Sequence, residues 1–219
     1  MNMKKYLSNL FKLLSIIVFI GNLSCHAQKK VSAVSLFDGA TLIGWKTVNA
    51  ESSKYWSIID STITGGDGVN DIPTNTYLYN AKSYKDFEFS CLFRLTGNAD
   101  TGLINSGIQY RSVVQDNKII GYQADIGKGY WGDIYDEHRR GKLVGGDLST
   151  LKNILNEDGW NSYLIRCQGN KQELYINGIK TSEYYEETSE IPSNVVISIQ
   201  LHSGGNAKAE FKYLTITIL

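Results

Sequence analysis

The sequence predicts an all-β chain folded as an antiparallel two-sheet sandwich with one short helix. Three observations carry this expectation. Short segments alternate apolar and polar residues with a period of two, as half-buried strands do. Turn-forming Gly, Asn and Asp residues separate them. Only one segment has helical spacing, and no strand–helix–strand rhythm is present.

Taken in order, residues 1–27 read as a leader rather than as fold. Lys4 and Lys5 precede the apolar run Leu10–Ile20, which is too short to span a bilayer comfortably and is followed by small residues. Leu23-Ser24-Cys25 resembles a lipobox and would leave Cys25 lipidated, although Asn22 stands where such signals prefer Leu. Cleavage after Ala27, before Gln28, is the alternative. Either route makes residues 28–219 a single extracytoplasmic domain: periplasmic, anchored at the outer membrane, or secreted. Loss of Lys4, Lys5 and Lys12 leaves 19 basic residues against 22 acidic ones. With no basic block, nucleic acid is excluded as a partner. Cys91 and Cys167 fall on apolar strand faces, as two buried thiols or a pair, without metal-like spacing.

Val31–Thr47 reads as a first strand and turn, with Phe37 and Trp45 as core or rim aromatics. Lys54–Asp60 and Thr62–Gly65 form a hairpin through Asp60-Ser61. Thr76–Asn80 is a short strand, and Lys85–Thr96 a long one with Phe87, Phe89, Cys91, Phe93 and Leu95 inward. The helix begins near Asp147 or Ser149, carries Leu148, Leu151, Ile154 and Leu155, and ends by Gly159. Trp160–Cys167, Gln172–Ile176 and Ile179–Glu183 follow as a meander, with Asn177-Gly178 suited to a type I′ turn. Val195–His202 and Lys208–Ile218 complete the strands.

The stretch from Leu103 to Arg140 is chemically the most informative. Ile104, Ser106, Ile108 and Tyr110 share one face, whereas Asn105, Gly107, Gln109 and Arg111 share the other. Gln123 and Asp125 oppose Tyr122, Ala124 and Ile126 in the same way. Asp133, Tyr135 and Glu137 alternate with Asp136 and His138, and Gln200 and His202 lie on the polar phase of their strand. Planar amides, carboxylates and a guanidinium interleaved with Trp131 and Tyr135 suit a groove for sugars: hydrogen bonds for hydroxyls, aromatic faces for C–H surfaces. Asn105, Gln109, Arg111, Gln123, Asp125, Gln200 and His202 are expected in one cleft.

These residues also carry a resemblance. Asn105-Ser106-Gly107-Ile108 with Arg111, Gly121-Tyr122-Gln123-Ala124-Asp125-Ile126, Tyr130-Trp131-Gly132 and Tyr135-Asp136-Glu137 resemble the 3-keto-disaccharide hydrolase family, the domain of unknown function 1080. The likeness starts at Leu36-Phe37-Asp38-Gly39 and Gly44-Trp45 and passes through Trp56, Asp86-Phe87-Glu88, Trp160-Asn161 and Ile176-Asn177-Gly178. It ends at Gln200-Leu201-His202. The resemblance implies a jelly roll of the concanavalin A-like lectin and glucanase type, with the ligand on a concave sheet. It further implies cleavage of 3-keto-glycosides by removal of the C2 proton, elimination at C1 and addition of water, with a separate oxidoreductase making the ketone.

On that reading His202, Asp125 and Glu137 are the candidate acid and base, since a positioned proton carrier near neutrality is required. Asn105, Gln109, Arg111, Gln123, Trp131, Tyr135 and Gln200 are the candidate substrate contacts. Arg111 supplies a positive charge or orients Asp125 or Glu137; it equally suits a structural ion pair across neighbouring strands. Asp125 and Glu137 also offer oxygen ligands to a divalent cation. Two other readings stand beside this one. The groove suits a non-catalytic glycan-binding module on the same fold. A conventional glycoside hydrolase needs paired carboxylates, and Asp133, Tyr135 and Glu137 match the Glu-x-Asp-x-Glu strand of the retaining glucanases poorly.

Overall fold

The computed structural model describes residues 32–190, 192 and 195–219, which form a unit spanning Val31–Leu219. The leader and Cys25 lie outside the described residues. In chain order the strands are β1 (Val34–Ser35), β2 (Trp45–Thr47), β3 (Trp56–Ile59), β4 (Thr62–Gly65), β5 (Thr76–Tyr84), β6 (Phe87–Thr96) and β7 (Asn105–Gln115). They continue with β8 (Lys118–Gly127), β9 (Ile134–Glu137), β10 (Gly141–Val144), β11 (Asn161–Gln168), β12 (Lys171–Ile176), β13 (Ile179–Tyr185), β14 (Val195–Leu201) and β15 (Lys208–Ile218).

Two antiparallel sheets result, the jelly-roll sandwich expected. One runs β13-β12-β11-β6-β15-β4-β3, with β1 added on β15; the other runs β10-β9-β8-β7-β14-β5-β2. Between them lies one apolar core. Phe87, Phe89, Cys91, Phe93 and Leu95 of β6 all enter it, because every second residue of a strand points the same way. From the second sheet Ile108, Tyr110, Tyr122, Ala124, Ile126, Ile197, Ile199 and Leu201 meet them. Trp131 also belongs to this core, its ring 6.2 Å from Phe93. Cys91 and Cys167 are free and buried. Cys91 sits opposite Tyr163 and Cys167 opposite Phe87, four residues further along β6, roughly 14 Å at strand rise. That separation is beyond the reach of a disulfide.

The tight turns follow their chemistry. Asp60 and Ser61 adopt φ of 49° and 56°, and Asn177 and Gly178 50° and 78°, the left-handed pairs that a two-residue hairpin demands. The helix is shorter than its spacing predicts. α1 is Leu148–Leu151, capped by the Asp147 side chain accepting from Thr150 N at 3.1 Å. Beyond it the chain turns instead, with Gly159 N donating to Asn156 O and Asn161 holding the Asn156 backbone on both sides. Lys54 and Tyr55, expected in a strand, close a 3₁₀ segment (Ala50–Tyr55) that Asn49 caps. β10 was not expected; its four residues fall between two louder signals, the charged 136–140 run and the helical spacing.

One irregularity redirects a charged residue. The β7–β8 register slips between Tyr110 and Val113, and Arg111 adopts φ of 46°, a β-bulge. Gly121 makes room for it: a Cβ there would lie 2.4 Å from Ser112 Oγ and 2.7 Å from Arg111 O. The bulge breaks the alternation that would have sent Arg111 to the polar face of the sheet. Its guanidinium instead donates from Nη2 to Gly169 O at 2.6 Å and lies 3.3 Å from Asp86 Oδ1. Gly169 N in turn donates to Asp86 at 2.9 Å. Arg111 therefore ties β7 to the β5–β6 and β11–β12 turns. Arg111→Ala should strip donors from buried acceptors and lower stability by about 2–3 kcal/mol, read as an earlier urea midpoint at constant slope. Unchanged stability with a weakened substrate interaction would contradict this placement.

Candidate functional site

The face of the seven-stranded sheet that turns away from the core carries the polar phase of its strands. Across the middle the register aligns Tyr77, Gln200, Gly107 and Asp125 in one row, and Tyr79, Ser198, Gln109, Gln123 and Tyr135 in the next. Tyr77 Oη donates to Glu137 Oε1 at 3.0 Å, although β14, β7 and β8 lie between their strands. Flat strands four spacings apart would be roughly 19 Å distant, more than the two side chains reach. The face is therefore concave. It forms a cleft of about 280 Å³ lined by Asn105, Gln123, Asp125, Tyr135, Glu137 and His202, with Leu103, Tyr130 and Lys142.

Asp125 lies at the end of a hydrogen-bonded chain. Gln109 Nε2 donates to Gln123 Oε1, and Gln123 Nε2 donates to Asp125 Oδ1. Gly107 leaves space for this chain; a Cβ there would come within 2.6 Å of the Gln123 side chain. Burial raises the Asp125 carboxyl to about 7, the Asp133 and Glu137 carboxylates adding to it and the Gln123 hydrogen bond opposing. Asp133 pairs with Lys142 Nζ at 2.6 Å, and that hydrogen bond holds the ammonium above its ordinary range. The cleft thus carries a permanent cation beside a carboxyl that exchanges its proton near neutrality. His202 is half-buried, and its Nδ1 lies 2.7 Å from Ser203 O. A carbonyl only accepts, so neutral His202 carries its hydrogen on Nδ1 and leaves Nε2 a free acceptor. Two further acceptors, Gln109 Oε1 and Gln200 Oε1, are buried without a partner, and Gln200 Nε2 reaches Tyr77 Oη at 3.4 Å.

Asn105, Gln123, Asp125, Tyr135, Glu137 and His202 come together as expected, and Gln109 and Gln200 support them from the floor. Arg111 does not join them, because of its bulge. Nor does Trp131. Tyr130-Trp131-Gly132 is a turn rather than a strand, so Trp131 drops into the core and Tyr130 takes the cleft side. Lys142 and Tyr77 were missed. Tyr77 was readable from its alternation with Leu78; Lys142 required β10, whose register sets it opposite Tyr135.

The donor set does not suit a divalent cation. Among the described residues no group of three or more His, Cys, Asp or Glu is arranged to hold a metal ion. One oxygen of Asp125 is taken by Gln123 and one of Glu137 by Tyr77, while Lys142 fills the cationic position.

The raised Asp125 pKa has a consequence for stability. The folded value of about 7 exceeds the unfolded value of about 3.9, so between them the native state holds the extra proton. Stability should then fall as pH rises through this window, the full penalty being present above pH 7. Asp125→Asn removes the ionisation and should stabilise the protein more at pH 8 than at pH 5, by on the order of 2–4 kcal/mol. Thermal unfolding at the two pH values measures this; an equal effect at both would refute it.

Comparison with known proteins agrees with this architecture. The chain superposes on a candidate glycosyl hydrolase from Parabacteroides distasonis with a TM-score of 0.63 and 18% identity, covering 85% of this chain and 94% of that one. The carbohydrate binding module CBM66 from Bacillus subtilis follows with a TM-score of 0.60 and 14% identity, covering 80% and 95%. The exoplasmic/lumenal domain of VIP36 in its calcium-bound form gives 0.57 and 10%, covering 80% and 84%. At these identities the likeness is one of fold. No curated protein matches the sequence. The 3-keto-alpha-glucoside-1,2-lyase-like domain family matches residues 32–217, nearly the whole described unit, and the chain belongs to that family.

Proposed function

We propose that the protein is a carbohydrate-active enzyme that cleaves 3-keto-glycosides, acting outside the cytoplasm on sugars oxidised by a separate oxidoreductase. Membership of the lyase-like family supports the substrate class. The observation that carries the chemistry is the pairing, in one concave cleft, of a carboxyl near neutral pKa with an ammonium and a histidine of defined tautomer.

A ketone at C3 acidifies the hydrogen at C2. His202 Nε2 takes that proton, and the C–H electron pair becomes the C2–C3 enolate. Lys142 stabilises the developing oxyanion, the role the sequence suggested for Arg111. The enolate electrons then form the C1–C2 double bond and restore the ketone as the C1–O bond breaks. Asp125 in its protonated form gives the leaving oxygen its hydrogen. Water adds to the unsaturated ketone, so the net change is hydrolysis. Asn105, Gln123 and Glu137 hold the ring hydroxyls. The leader at 1–27, with Cys25 as an acylation point, supports an extracytoplasmic and membrane-anchored setting.

The test pairs a 3-keto-glycoside with its unoxidised parent in deuterated water. Product release and C2 hydrogen exchange should occur with the oxidised compound alone. His202→Ala and Asp125→Asn should each lower turnover by roughly 10²–10⁴-fold. Lys142→Met should lower it by about 10²–10³-fold. Equal binding of both sugars without turnover would favour a glycan-binding module, a reading that the similarity to CBM66 motivates. Cleavage of the unoxidised glycoside alone would favour a conventional glycoside hydrolase.

A further inference from the structure

We infer that Tyr130, with Leu103 beside it, forms a leaving-group subsite that stacks on the second sugar ring of the substrate; this rests on the functional reading above. The cleft is small. At about 280 Å³ it falls just below the range of small-molecule sites, which run from roughly 300 to 1,000 Å³, and accommodates little more than one pyranose ring. The hydrogen-bonding groups are at its floor, where Asn105, Gln123 and Asp125 are each no more than 4% exposed. A disaccharide held there by its oxidised ring must put the other ring at the mouth.

The mouth has a different character from the floor. Tyr130 is 41% exposed and Leu103 37%, and both line the cleft. Asn105 pairs with Gly127, so Leu103, two residues before, and Tyr130, three residues after, flank the same end of the β7–β8 pair. Apolar surface facing water beside a polar pocket is what the C–H face of a sugar ring matches. A solvent-exposed tyrosine is unremarkable by itself, but the backbone of this one is held in place. Its N donates to Gly127 O at 2.9 Å, and its O accepts from Asp133 N at 3.0 Å. The next side chain, Trp131, is locked in the core against Phe93. Gly129 adopts φ of 88° with no heavy atom within 4 Å of where its Cβ would be, so its role there is backbone shape. With the turn already held, ordering the ring under a sugar costs only the freedom of its two side-chain torsions. The turn that removed Trp131 from the cleft therefore presents its neighbour in the same capacity.

The experiment compares a 3-keto-disaccharide with the methyl 3-keto-glycoside, which lacks the second ring, for the full-length protein and for Tyr130→Ala and Tyr130→Phe. Turnover and calorimetric affinity are measured side by side. Tyr130→Ala should raise the ratio of disaccharide KM to methyl glycoside KM by roughly 3–10-fold, in line with the strength of aromatic contacts, and Tyr130→Phe should restore it. The ratio of dissociation constants should move likewise. An unchanged ratio in both measurements overturns the subsite. Binding that discriminates through Tyr130 without turnover of either compound retains the subsite and overturns the catalytic reading. Failure of the unmodified protein to bind either compound overturns both.

Discussion

A carboxyl buried against a concave sheet is the constraint on which the rest of this structure turns. Asp125 is almost wholly removed from water, yet among the described residues its carboxyl accepts from the amide of Gln123 alone, itself held by Gln109. A buried carboxylate with one neutral donor and two acidic neighbours is poorly compensated, so the proton is retained to near-neutral pH. Everything around it accommodates that choice. Gly107 is small so that Gln123 can cross it, Lys142 neutralises Asp133 rather than Asp125, and Tyr77 closes the far side onto Glu137. A fold selected only for stability would place an apolar residue there; a poorly compensated carboxyl is what the proposed acid–base role requires.

Much of the fold was legible in the sequence because period-two alternation is a direct consequence of strand geometry. β6 shows this best, since five of its ten residues are apolar at every second position and all five are buried. The turns at Asp60-Ser61 and Asn177-Gly178 were legible for a similar reason, as few residues tolerate positive φ. The same rule also marked the floor of the cleft, from Asn105 through Gln123 and Asp125 to His202.

Where the reading failed, alternation itself had failed. Arg111 obeys the pattern in sequence but sits within a one-residue bulge, where the alternation of faces is broken. Trp131 was expected in the groove, but its backbone is a turn bracketed by Gly129 and Gly132, where neighbouring side chains do not simply alternate. Lys142 lies on a four-residue strand too short to announce itself, and its importance depends on Asp133, nine residues earlier. These are contacts set by register and loop closure, which one-dimensional patterning does not encode. The consequence is chemical as well as structural: the cation of the site moves from a guanidinium to an ammonium, and its aromatic surface from tryptophan to tyrosine.

The division of labour between the sheets follows from the same geometry. The eight-stranded sheet gives its inner face to the core and carries ion pairs such as Arg94–Glu210 outside. The seven-stranded sheet has a polar face that is curved and largely shielded from solvent. Burial on this curved face holds Asp125 as a protonatable acid at neutral pH. Carbon-13 NMR of the aspartate side-chain carboxyls, with Asp125 assigned through Asp125→Asn and followed from pH 3 to pH 9, measures it most directly. The expected midpoint for Asp125 is near 7. A midpoint near 4, the value of a solvated aspartate, would contradict it.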